Sequence, residues 1–223
     1  MGFLLFRRWS VSGHTDIAES TFVSQWRHWS FIVVRHIVQK RCISACITMI
    51  EHIDIKASDL GWPQAAPLLK AVWPPEVVAE LPWRDVVWAN PDYRLLAFNR
   101  DNEIICHLAI VLRDATWDGR AVRIGGIGGV ATREESRRQG VASTAMRMAI
   151  QEIQRTYKAD FGLLFCEPRH ASIYETLGWC PFKGDVFVMQ PQGHVRFDVT
   201  DPYVFDLKIA PRAGVLDLCG LPW

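Results

Sequence analysis

No apolar run in this sequence approaches the roughly 18 residues that a membrane-spanning helix needs, so no such span is expected. Phe3-Leu4-Leu5-Phe6 is too short for a signal-peptide core, and arginines follow it where they should precede it. Met1-Gly2 opens like a myristoylation signal, but Phe6 stands where Ser or Thr is wanted. The six cysteines include no Cys-x-x-Cys pair, which argues against a disulfide framework and against a metal site. Buried free thiols in a reducing, cytoplasmic compartment are the expected state. No Gly-Lys-Ser/Thr follows the glycines, so a mononucleotide P-loop is excluded, as is a dinucleotide fingerprint.

Net charge is scarce too, at +1, but it is unevenly spread. Residues 1–48 carry six Lys/Arg against Asp16 and Glu19, and the rest of the chain is mildly acidic. An acidic body argues against a nucleic-acid partner and suits a cationic small molecule. The 223 residues are 49% hydrophobic and include ten Trp, enough for one domain with a full core. Residues 1–48 are acid-poor and aperiodic, a composition shared with mitochondrial transit peptides. We read them as a basic, poorly packed extension upstream of an internal start at Met49, with a single domain over 49–223. The oligomeric state is left open, a homodimer included.

From Met49 onward the pattern is orderly. Ile50 to Ile55 reads as a strand, Ala66 to Val72 as a helix broken by Trp73-Pro74-Pro75, and Glu76 to Leu81 as a second helix. Tyr93 to Asn99, Glu103 to Leu112 and Ala121 to Ile127 read as strands, with Asp118-Gly119 as a hairpin turn. Two Gly-Gly pairs before Val130-Ala131-Thr132 point to a bulge or a close backbone approach. Gly140 to Tyr157 has helical spacing, and Phe161 to Phe165 is a short buried strand. A helix over Arg169 to Leu177 ends at Gly178, and strands at Val186 to Gln190 and Tyr203 to Ile209 complete the sheet. The fold class expected is α/β, with a mixed, mostly antiparallel sheet flanked by helices.

The chemistry concentrates between Gly125 and Ala142, where a glycine-rich strand runs through a charged loop to a glycine at the mouth of a helix. The first turn of a helix leaves its N–H groups without intrahelical partners, and the macrodipole adds partial positive charge. Arg137 and Arg138 add full charges, so an anion such as a phosphate is the natural occupant. Alone, the pattern is equally that of a solvated basic loop.

Arg137, Gly140 and Ala142 form Arg-x-x-Gly-x-Ala, and Tyr174-Glu175-Thr176-Leu177-Gly178-Trp179 follows about 35 residues beyond that glycine loop. Together with the elements between them, these motifs resemble the Gcn5-related N-acetyltransferase superfamily over Ile50 to Ile209. The resemblance implies an acyl-CoA N-acyltransferase fold with acetyl-CoA as co-substrate. Val130, Ala131 and Thr132 would lie along the pantetheine arm. Arg137, Arg138, Gln139, Gly140, Val141, Ala142 and Ser143 would wrap the pyrophosphate. Tyr174 would protonate the departing thiolate, for which a phenol of ordinary pKa near 10 is suited.

Ile173 through Phe182, the late hydrophobic strand and the final Trp223 are similar to the aminoglycoside 2'-N-acetyltransferases. In that family the C-terminal carboxylate contacts the cationic antibiotic, which gives Trp223 an expected role. Two departures stand out. Gly128 falls where the family carries a Glu as water-mediated base, and Thr200, beside Asp201, falls where it carries a substrate-binding Asp. Fewer carboxylates disfavour a polycation, and the body is similar to the kasugamycin-modifying branch, which implies antibiotic resistance. Replacement acids are expected from Glu76, Glu80, Asp85, Asp201 and Glu167, with Glu167 as the catalytic candidate and Gly128 and Gly129 against the substrate. The alternatives are a protein or peptide N-acetyltransferase and a non-catalytic acyl-CoA-binding module.

Overall fold

The computed structural model describes residues 49–223; the expectation for the extension over 1–48 lies outside the described residues. Among the described residues ten strands form one mixed sheet: β1 (His52–Ala57), β2 (Tyr93–Phe98), β3 (Ile104–Trp117), β4 (Arg120–Thr132), β5 (Phe161–Cys166), β6 (Cys180–Pro181), β7 (Asp185–Gln190), β8 (Gly193–Arg196), β9 (Asp201–Asp206) and β10 (Val215–Asp217). The helices are α1 (Ser58–Val72), α2 (Pro75–Ala79), α3 (Val141–Arg155) and α4 (Ala171–Glu175). All pairings are antiparallel except β4 with β5 and β7 with β10. The mixed, mostly antiparallel class expected from the sequence is the class found. Strands β6, β8 and β10 are additions to that reading, too short to announce themselves by alternation.

Helix α1 starts eight residues earlier than the spacing predicts, at Ser58, and carries Pro63 and Pro67 inside it. Each proline removes one i to i−4 hydrogen bond, and the cost at Pro63 is why propensity places the start after it, at Ala66. Tertiary packing outweighs that loss. Ala65 and Leu68 are buried against Leu96 and Phe98, and Gly61 brings the helix onto Arg94, where a Cβ would lie 3.1 Å from the Arg94 Cβ.

The glycines of β4 are explained by what packs on each of its faces. A side chain at Gly125 would overlap Ile153 of α3, and one at Gly126 would overlap the Trp223 indole. Strand alternation puts Gly128 on the Trp223 face as well, where a Cβ would stand 3.2 Å from the Trp223 carbonyl carbon. The α3 helix and the C-terminal tryptophan therefore clamp β4 from opposite sides. Trp223 is held in turn by its Nε1 donating to the Leu163 carbonyl at 3.4 Å, and its neighbour Pro222 accepts from the Ala89 N–H at 2.7 Å.

Strands β4 and β5 pair only from Ile124 to Ile127 against Phe161 to Leu164. Beyond that point β4 stays with β3 while β5 stays with β9. The sheet therefore opens after Ile127, leaving the β5-facing edge of Gly128 to Thr132 without a strand partner.

Candidate active site

A cavity of about 1150 Å³ occupies this opening. One wall is the far end of β4. The register against β3 slips by one residue between the pairs His107–Ala131 and Ala109–Gly128, so Gly129 and Val130 share a bulge. Gly129 takes φ +53°, a left-handed conformation that glycine adopts without strain. The bulge is fixed from behind by His107, which is 1% exposed. Its Nδ1 lies 2.8 Å from the Gly129 carbonyl, and its Nε2 lies 3.1 Å from Arg94 Nη1. Arginine only donates, so Nε2 accepts and Nδ1–H donates. Burial, and secondarily the Arg94 charge, lower the His107 pKa to about 4. The ring is thus a neutral strut between Arg94 and the bulge.

The second wall is the loop from Arg133 to Gly140 and the start of α3. Arg138 and Gly140 both take left-handed conformations, at φ 59° and 74°. Such residues interspersed in a turn gather successive N–H groups into an anion-binding concavity. Arg137 Nε donates to the Thr132 carbonyl at 3.1 Å, and Gln139 Nε2 to the Glu135 carbonyl at 2.8 Å, which brace the loop. The first intrahelical bond of α3 comes from Thr144 to Gly140, and no side chain caps the helix. The N–H groups of Val141, Ala142 and Ser143 therefore precede the helical ladder. A Cβ at Gly140 would meet nothing within 4 Å, so this glycine is required for its backbone angle and not for room. Ser136, 1% exposed, lines the same wall with its hydroxyl unpartnered.

The third wall is β5 with α4. Gly178 at φ 89° ends the helical turn in a Schellman arrangement, with Trp179 N–H bonded to the Tyr174 carbonyl and Gly178 N–H to that of Glu175. Trp179, 2% exposed, anchors the turn and so fixes Tyr174 against the cavity. This is the physical content of the Tyr-x-x-Leu-Gly-Trp motif. Burial, reinforced by Cys166 and Cys106 nearby, pushes the Tyr174 phenol up to about 12. The ordinary value near 10 expected from the sequence does not hold, because the ring is enclosed. Glu167 lines the cavity at the end of β5 and is paired with Arg169 at 3.0 Å.

Of the residues expected along the cofactor, Val130, Thr132, Arg137, Arg138, Gly140, Val141, Ala142 and Ser143 line the cavity. Ala131 does not: strand alternation turns its side chain to the α1 side, among Ala65 and Leu96. Gln139 is exposed outside the lining. On the acceptor side, Gly128, Gly129 and Trp223 line the cavity, whereas Glu76, Glu80, Asp85 and Asp201 do not. The short α2 aims Val77 and Val78 into the cavity, so its acids face solvent. Asp85 pairs at 3.4 Å with Arg84 on the surface. At the mouth of β9 the extended chain turns Thr200 inward and Asp201 outward; the Thr200 hydroxyl is buried without a partner. The Trp223 backbone and indole occupy the space in front of Gly128, which accounts for the lack of a side chain there.

Sequence reasoning missed Arg94, Ser136 and the tryptophans of the cavity wall. Ten Trp were read as core composition, yet Trp62, Trp73, Trp83 and Trp88 line the cavity from α1 and the loops around α2. The signal available was the position of Trp62, Trp73 and Trp83 directly beside prolines. Among the described residues no helix is long and apolar enough to cross a membrane.

Residues 55–182 match the family described as the Acetyltransferase (GNAT) domain. The chain is 32% identical over 112 residues to an aminoglycoside 2'-N-acetyltransferase from Mycolicibacterium fortuitum, covering 50% of this chain and 56% of that one. It thus spans about half the length of that curated relative. The backbone is similar to a GNAT family N-acetyltransferase from Escherichia coli solved in complex with CoA, with TM-score 0.53 and 14% identity over 81% of this chain and 94% of that one. It is also similar to Escherichia coli ElaA, with TM-score 0.50 and 16% identity over 71% of this chain and all of the other. At such identities the structures speak to fold alone. The family match spans more than half of the residues, and the chain belongs to the GNAT acetyltransferase family.

Proposed function

We propose that the protein transfers an acetyl group from acetyl-CoA to the 2'-amine of an amino-sugar antibiotic, with kasugamycin as the substrate and resistance to it as the consequence. The observation that carries this reading is the opening of β4 from β5 beside the left-handed loop at Arg138 and Gly140, with Tyr174 facing the same space. These residues fit acetyl-CoA. The free edge of Gly128 to Thr132 offers backbone groups to an extended amide arm, and the start of α3 offers N–H groups and arginines to a pyrophosphate. The unpartnered Ser136 hydroxyl adds one more donor on that wall.

Acetyl-CoA supplies the activated acyl group; the chain's residues orient it and manage protons. The bulge at Gly129 and Val130 frees backbone there from the β3 ladder, so that an N–H can steady negative charge on a carbonyl oxygen. Glu167 accepts the proton that the acceptor amine must lose, since Gly128 cannot. Tyr174, with its raised pKa, donates a hydrogen bond to the departing sulfur. The 32% identical relative supports the amino-sugar class. Kasugamycin, whose amine and amidine are balanced by its own carboxylate, suits a cavity with few acids.

The test is thiol release from acetyl-CoA with kasugamycin, gentamicin or a lysine peptide as acceptor. Release with kasugamycin is expected. Release with the peptide alone would replace this reading by a peptide acetyltransferase, and none with any acceptor, acetyl-CoA still binding, by an acyl-CoA-binding module.

A further inference from the structure

Trp223 stands where β4 and β5 part, and from it an unbroken row of aromatic rings leads along the cavity. Trp223 packs edge-on against Phe165 at 5.8 Å, Phe165 against Phe197 at 4.9 Å, and Phe197 against Trp88 at 6.1 Å. Trp88 then meets Trp83 at 5.9 Å, and Trp83 meets Trp73 at 6.4 Å. All but Phe197 line the cavity; Phe197 is buried behind them. Phe197 and Trp223 belong to the core beneath, with Trp88 and Phe165 packed against it, and Trp83 and Trp73 carry the row outward from there. Trp73, Trp83, Trp88 and Phe165 are only half-buried. Half-buried rings on a concave wall leave apolar surface for a ligand to cover.

The charged side chains lining the cavity are mostly basic. Lys70, Arg94 and Arg169 line the cavity with Arg137 and Arg138, and Glu167 is the one acidic side chain among the described lining residues. That carboxylate is already paired with Arg169 at 3.0 Å. A ligand carrying several ammonium groups would find like charges and no free carboxylate side chain to meet them.

We propose that the aromatic row is the acceptor subsite, and that it takes an amine carried on a ring of low net charge. The C–H face of the ring stacks on Trp83 and Trp88, while polycationic amines are rejected. The proposal rests on the acetyl-transfer reading for its context, but it concerns acceptor binding and is tested separately from turnover.

The experiment is calorimetric titration of the full chain, loaded with CoA so that no turnover occurs, with kasugamycin, glucosamine, benzylamine, gentamicin and spermidine. At least one of the three ring amines is expected to bind at least about tenfold more tightly than gentamicin or spermidine. Trp83→Leu and Trp88→Leu each weaken that binding by about tenfold, the scale of one lost aromatic contact with its buried area. Trp83→Phe retains it within about threefold, and the thermal midpoint of each variant checks folding. CoA affinity stays within about twofold in all three variants. Tighter binding of the polycations, no binding of any ring amine, or affinities unmoved in both leucine variants would overturn the proposal. If ring amines bind through the tryptophans but no thiol is released from acetyl-CoA, the subsite stands and the transferase reading falls.

Discussion

His107 is the group whose perturbation has the most calculable outcome. It is 1% exposed, accepts from Arg94 and donates to the Gly129 carbonyl, and its pKa is lowered to about 4. In the unfolded chain the imidazole returns to about 6.5. Below that value the unfolded state takes up a proton that the folded state refuses until about pH 4. Stability from this group is therefore fully present above pH 6.5 and is lost as pH falls toward 4. A difference of about 2.5 pKa units corresponds to about 3 kcal/mol in all, and about 2 kcal/mol of it falls between pH 7 and pH 4.5. His107→Gln keeps one donor and one acceptor but does not titrate. Urea unfolding of both proteins at pH 7 and pH 4.5 isolates the term, because every other titrating group is shared. The wild-type protein is expected to lose about 2 kcal/mol more than the glutamine variant over that interval. His107→Phe, which leaves Arg94 and the Gly129 carbonyl without their partner, is expected to cost about 2–4 kcal/mol at pH 7. Equal pH dependence in wild type and His107→Gln would refute the neutral-strut reasoning.

Three further outcomes follow from the geometry. Gly126→Ala drives a methyl into the Trp223 indole and is expected to destabilise the fold by about 1–3 kcal/mol in urea unfolding. Gly140→Ala meets open space but is strained at φ 74°; it is expected to cost about 1–2 kcal/mol and to weaken acetyl-CoA binding by calorimetry, with Gly140→Asn milder. Tyr174→Phe and Glu167→Gln are each expected to lower kcat by about a hundredfold or more, with acetyl-CoA affinity nearly unchanged in the tyrosine variant.

The fold was legible where local rules and packing agree. The spacing of Ala142, Met146, Ala149, Ile150 and Ile153 marks the buried face of α3, and all but Ala142 are fully buried. The glycine pairs of β4 announced both a bulge and a close approach, and the strand has both, at Gly129 and beneath Trp223. What approaches was not legible, because Trp223 lies about 95 residues further along the chain and reaches Gly126 and Gly128 only through tertiary structure. The start of α1 was hidden by Pro63, whose local cost is outweighed by burial against β2. The acids of α2 were expected to face the acceptor, but on a five-residue helix the apolar Val77 and Val78 take the inner side. Net charge misled for a related reason. The body is acidic as a whole, while the cavity lining is basic, and composition does not say which residues share a concave surface.

The central claim is that this cavity joins acetyl-CoA to an amino-sugar amine, and the product is its most direct witness. Kasugamycin incubated with acetyl-CoA and the protein, then examined by mass spectrometry and NMR, is expected to gain one acetyl group, placed on its 2'-nitrogen. Recovery of the antibiotic unaltered, from a protein that calorimetry shows to bind acetyl-CoA, would contradict the account.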